Sequence, residues 1–228
     1  MQGYLKSGPI EQPAYDNQAV IEWGLKHMVL SIWHNVVPLI KANLCFLLFL
    51  IPIITIPAAF YAMSEICIEL IRGKQTSVFR TFGDAVKKEF LFSAKLFCSL
   101  GIVFALALFG AMFYLQQAEQ MKFLSVFSFI LVVVAVITYL MIPYCFSMAA
   151  ITPLPYKKVI KNAFLVAFLN LRYSLMGGII GLALFLIQYL LLIRLFPLTL
   201  SVGLSLVFFV EIYCALYGVQ RFVLTEKL

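Results

Sequence analysis

Three ionisable side chains stand inside long apolar runs, where an isolated charge is costly: Lys41, Glu65 and Glu211. An ammonium and two carboxylates at comparable depth can do one of two things. They can pair and pin helices together, or they can line a polar, proton-coupled path through a bundle. At about 1.5 Å per helical residue, Lys41 falls ~16 Å below the outer turn of the chain, Glu65 ~12 Å and Glu211 ~20 Å. Those depths let Lys41 reach either carboxylate. Asn43 and Asn170 join the same inventory as hydrogen-bonding groups between helices.

Other reactive residue types form no constellation. His27 and His34 are seven residues apart and share a helix face, but no third metal ligand is near them in the sequence, so an interfacial or capping role is expected. Gly73-Lys74 followed by Thr76 and Ser77 has the flavour of a phosphate-binding loop without its upstream glycine or strand. Neither H-E-x-x-H nor G-x-S-x-G occurs, and the carboxylates are scattered. The sequence therefore points to a non-enzymatic protein with no catalytic residue, metal ligand or cofactor site. The five cysteines lie in or beside apolar runs without a C-x-x-C pair, and read as small packing residues.

The elements that position these residues are membrane elements. Of 228 residues, 64% are hydrophobic and 12% charged, which is far from soluble composition. The expected fold is an all-α polytopic bundle of six spans, or alternatively five. The six spans are placed at about Val36–Ile51, Ala58–Ile71, Leu91–Leu115, Phe123–Ala149, Tyr173–Ile193 and Leu198–Val219. Residues 1–18 read as a cytoplasmic tail without a cleavable signal peptide. Residues 19–228 read as one bundle, with amphipathic interfacial helices near 19–35, 76–90 and 155–170. In the second of these, Phe79, Phe82, Val86 and Phe90 take one side and Arg80, Asp84, Lys87 and Lys88 the other. Gly177 and Gly181 have the spacing of a close helix–helix contact, and Pro143 should kink or end the fourth span.

The net charge of +7 is concentrated in loops. Placing Arg80, Lys87, Lys88, Lys157, Lys158 and Lys161 inside puts both termini in the cytoplasm and makes nucleic acid an unneeded partner. A weak internal repeat, aligning Asn35 with Asn162 and Asn43 with Asn170, divides the bundle into three hairpin-like units.

The segment from Asn43 and Leu44 through Pro52, Ile53, Thr55, Ile56, Ala58 and Ala62, continued by Phe79, Phe82, Lys88 and Phe90, resembles the YesL-like family of bacterial integral membrane proteins. The likeness covers about residues 43–95, with a weaker echo at Ile160–Phe164. The turn Pro52, Thr55, Pro57 departs from the family at Pro57, usually a glycine, so a stiffer turn is expected. The resemblance implies no established enzymatic activity. It implies an accessory plasma-membrane subunit contacting the permease of an oligosaccharide ABC importer, because members are often encoded beside such importers. With no ATP-binding domain and no E-A-A-type coupling loop, the chain does not read as the permease itself. A small stand-alone transporter and a membrane sensor or scaffold are the alternatives, and direct sugar binding is left open.

Overall fold

The computed structural model describes residues 24–74, 77–118, 121–190 and 199–224. The expected tail at 1–18, and Trp23, Thr76 and Arg194, lie outside these. Nine α-helices fill the described residues: α1 (Leu25–His34), α2 (Val36–Leu50), α3 (Ile56–Ile71), α4 (Val78–Lys88), α5 (Phe90–Gln117), α6 (Leu124–Ile151), α7 (Tyr156–Leu169), α8 (Leu171–Leu190) and α9 (Leu204–Val219). Five helical stretches are long and apolar enough to cross a bilayer, or six if the bent pair α1–α2 is taken as one span. The chain is a multi-pass helical membrane protein.

The nine helices form three like units, each an amphipathic helix, a one-residue break and two antiparallel apolar helices. The breaks are Asn35, Glu89 and Asn170, with φ/ψ of −109°/21°, −110°/9° and −107°/31°. In each, the break N–H still donates to the carbonyl four residues back, and the break carbonyl accepts from four residues ahead. The chain therefore changes direction while the break residue keeps both of its own backbone groups paired. Across Asn35 the axis turns by 75°. Asn35 is equivalent to Asn170, not Asn162, because the break rather than the apolar run repeats.

Helices α3 and α9 form the centre. In each, 61% of the most apolar window is buried, against 22–28% in α5, α6 and α8. Phe60 on α3 holds that centre together. Its ring lies 5.5 Å from Phe46 on α2, 5.0 Å from Phe97 on α5, 5.9 Å from Phe146 on α6 and 5.0 Å from Phe208 on α9.

Amphipathic α4 docks on the bundle through Val78, Phe82 and Ala85, with Phe82 stacked 5.4 Å from Phe49. Phe79 is 72% exposed, which corrects its expected place beside Phe82. The two are three residues apart, near the edges of a narrow buried stripe, and only Phe82 falls within it. Arg80, Lys87 and Lys88 on α4 and Lys157, Lys158 and Lys161 on α7 are all exposed. Gly73 ends α3 at φ 69°, with Gly73 N–H donating to Leu70 O at 3.1 Å and Lys74 N–H to Glu69 O at 3.0 Å. This is a helix stop of the Schellman kind, so the Gly-Lys pair is a cap and not a phosphate loop.

Hairpin lengths match their chemistry. Helix α2 has 15 residues, about 22 Å, shorter than the ~30 Å hydrocarbon layer. Its apex is apolar: Ile51, Ile53 and Ile54 are 77%, 81% and 74% exposed. Helices α5 and α6 have 28 residues each, about 42 Å, and their turn carries Gln116, Gln117 and Lys122. Helix α2 by itself is thus too short to span the hydrocarbon and ends at an apolar apex, whereas α5 and α6 are each long enough to pass through it. At the apolar apex Pro52 precedes a 3-10 turn (Ile53–Thr55), and Thr55 Oγ1 lies 2.6 Å from Phe49 O and 2.7 Å from Pro52 O, pairing carbonyls left over where α2 ends. Pro57 occupies the first turn of α3, where a missing N–H is harmless. Helix α6 runs through Pro143 to Ile151, so that proline does not end the span.

Replacing Phe60 by Ala should lower unfolding stability in detergent by about 3 kcal/mol, while Phe79→Ala should stay within about 0.5 kcal/mol. Equal losses in denaturant titrations of the two variants would contradict the hub.

Candidate functional site

The four residues expected to form one buried polar network occupy four separate places. Lys41 and Asn43 are two residues apart, about 200° around α2, so burial of one turns the other outward. Asn43 is fully buried and accepts the Ser205 N–H at 3.0 Å on Oδ1. It caps the start of α9, where a π-helical turn (Thr199–Gly203) leaves donors unpaired, and Gln188 Nε2 donates to Gly203 O at 3.0 Å beside it. Lys41 is exposed and forms no ion pair with Glu65 or Glu211. It follows the Asn35 break by six residues, as Lys95 follows the Glu89 break. Lys95 Nζ reaches back to 4.7 Å from the Tyr156 ring at the membrane boundary. The same snorkelling geometry is open to Lys41.

Glu65 is half-buried on α3 and faces the α4–α5 junction, where Glu69, Glu89, Asp84 and Lys88 are its charged neighbours. It therefore belongs to the boundary layer and not to the middle of the bundle.

Glu211 alone keeps the expected character. It is half-buried midway along α9, and Tyr139 on α6 donates to its Oε1 at 2.6 Å. Against it stand the glycines of α8. A Cβ on Gly181 would lie 2.6 Å from Glu211 Oε1, one on Gly177 2.8 Å from Cys214 Cβ, and one on Gly178 2.7 Å from Leu140 Cδ2. Three small residues thus let α8 close on α9 and α6 together, enclosing the carboxyl in a cleft.

A second polar cluster sits nearer the boundary. Asn170 Nδ2 donates to Tyr144 Oη at 3.0 Å, Tyr144 Oη and Ser174 Oγ are 2.7 Å apart, and Ser174 Oγ lies 2.9 Å from Ala167 O. A cavity of about 10 Å³, the size of one water, separates this cluster from Glu211 and Tyr139. Tyr139 and Tyr144 were not legible as site residues. A tyrosine on an apolar helix carries no mark of which helix it will face. His27 and His34 do not meet: His27 Nδ1 lies 3.2 Å from Tyr213 Oη, and His34 Nδ1 donates to Leu30 O at 2.8 Å. Among the described residues no group of three or more His, Cys, Asp or Glu is placed to hold a metal.

Fold and site define an all-α integral membrane protein with one enclosed carboxyl. Residues 39–115, about a third of the chain, match a family described as "Protein of unknown function, DUF624". That stretch holds α3, α4, most of α2 and nearly all of α5, including Phe60 and the Pro52–Thr55 turn. No curated protein and no solved structure matches the chain.

The glycine geometry has a direct consequence. Gly177→Ala must displace a Cβ rather than a flexible tip, and should cost about 1–3 kcal/mol of unfolding stability. Gly101→Ala on α5, where nothing lies within 4 Å of the new carbon, should be neutral or stabilising by up to about 1 kcal/mol. Melting curves of the two proteins in one detergent decide this.

Proposed function

We propose that the chain is a non-enzymatic accessory subunit, embedded in a bacterial plasma membrane, that works by docking on another membrane protein. The observation that carries this reading is the division between a filled interior and an apolar exterior. Interlocked phenylalanines occupy the centre around Phe60. The outer halves of α5 and α6, with Phe123 just before α6, present Phe109, Met112, Phe113, Phe123 and Phe129 outward. A lipid-level helix face of this kind meets either lipid tails or a partner's spans.

Following the resemblance of residues 43–95, we assign the partner as the permease of an oligosaccharide ABC importer. The exposed basic residues of α4 and α7 then lie on the cytoplasmic side, beside the importer's coupling machinery. A second reading, transport by the bundle itself, has one observation in its favour: the Glu211 carboxyl beside a water-sized cavity. A transporter needs a substrate-sized polar cavity near mid-membrane, and about 10 Å³ falls well short of one.

The test is affinity purification of the tagged protein from its native host in mild detergent, read by mass spectrometry. Permease subunits should co-purify, and a Phe109→Ala/Phe113→Ala variant should lose them severalfold without a change in melting temperature. A protein that emerges alone, from cells whose uptake is unimpaired by its deletion, would overturn the reading.

A further inference from the structure

A cavity larger than the Glu211 cleft lies elsewhere among the described residues. A cavity of about 200 Å³ opens at the break end of the bundle, between the start of α1 and helices α8 and α9. Its lining combines one cationic residue, Arg172, with three tyrosines, Tyr173, Tyr213 and Tyr217, and two methionines, Met28 and Met176. No carboxylate is among the described lining residues, and Arg172 makes no ion pair with any described residue. A second guanidinium is bound to one of the lining residues: Arg221 Nη1 donates to Tyr217 Oη at 3.2 Å. Both arginines lie close enough to Tyr173 to act on it electrostatically, and the Tyr173 and Tyr217 rings are 4.2 Å apart.

The level of this cavity matters as much as its charge. Arg172 and Tyr173 directly follow the Asn170 break, and the three breaks mark where interfacial helices turn into spans. This is headgroup depth, where a phosphate is the commonest anion and arginine its preferred fork-shaped donor. Above Arg172 and Met176, the same face of α8 continues through Ile179 and Leu186, both exposed and apolar. A cationic, tyrosine-ringed cup at the boundary, continued by an apolar stripe into the hydrocarbon, has the outline of a phospholipid.

We infer that this cavity is a binding site for one anionic phospholipid. Arg172 takes the phosphodiester, the tyrosine rings wall the headgroup cup, and an acyl chain lies along α8. The site is independent of any importer, and a failure to find a permease partner leaves it standing.

The experiment measures thermal unfolding of the full-length protein in a non-ionic detergent with added short-chain phosphatidylglycerol, short-chain phosphatidylcholine or inorganic phosphate. Phosphatidylglycerol should raise the melting temperature saturably, because a ligand bound only by the folded state stabilises it by mass action. Phosphatidylcholine and inorganic phosphate should not. Arg172→Gln should weaken the phosphatidylglycerol response about tenfold, and Arg172→Lys should retain part of it. Lys157→Gln/Lys158→Gln, on the exposed face of α7, should leave it unchanged. If Arg172→Gln does not fold, Met176→Trp, which fills the cavity and keeps the charge, should abolish the response instead. Equal shifts with phosphatidylcholine or with phosphate alone would overturn the site. So would an unaltered response in Arg172→Gln or in Met176→Trp, or an equal loss in the α7 double variant.

Discussion

Within hydrocarbon the hydrophobic effect does not press helices together, since lipid tails are as apolar as leucine. What remains is dispersion between well-fitted surfaces and a small number of buried hydrogen bonds. Phe60 is where this protein concentrates the first. One ring on α3 meets rings from α2, α5, α6 and α9, drawing on all three repeat units. Aromatic pairs in tilted or edge-on contact contribute about 0.5–1.5 kcal/mol each beyond their area, so four on one side chain rival any other single residue here. The glycines of α8 serve the same end from outside, by removing the Cβ atoms that would hold α8 away from α9.

The hydrogen bonds go where the backbone departs from regular helix. Asn43 and Gln188 serve the π-helical start of α9, Thr55 serves the 3-10 apex, and the Asn170–Tyr144–Ser174 cluster lies beside the α7–α8 break. Irregular backbone is tolerated at membrane depth only when such partners are present. Buried asparagine is thus structural here, and the residues that look reactive in the sequence divide by depth. Lys41 and Glu65 belong to the boundary, and Glu211 to the interior.

Much of this was legible. Apolar run lengths placed the helices to within a few residues, charge placed the amphipathic segments, and the Gly177–Gly181 spacing announced a close approach. The Lys41–Glu65–Glu211 network failed for a reason the sequence itself contained. Residue counts set depth but not azimuth, and a turn of about 200° separates Lys41 from buried Asn43. The repeat was visible but misregistered, because similarity among apolar spans is weak, whereas the backbone breaks that truly repeat fall on unlike residues, Asn, Glu and Asn. The partner of Glu211 was beyond reach, since Tyr139 lies 72 positions away on a helix with many possible rotations.

In the topology that these helix lengths favour, the three breaks share one membrane face, the short hairpin ends in hydrocarbon and the long one crosses to the far side. The most direct test is labelling of single-cysteine variants with a membrane-impermeant maleimide, in intact spheroplasts and after lysis. Cysteines replacing Lys26, Lys87 and Lys158 should react from one side together, one replacing Met121 from the opposite side, and one replacing Ile54 from neither. Reaction of any of the first three from the Met121 side, or ready aqueous labelling at position 54, would contradict the architecture.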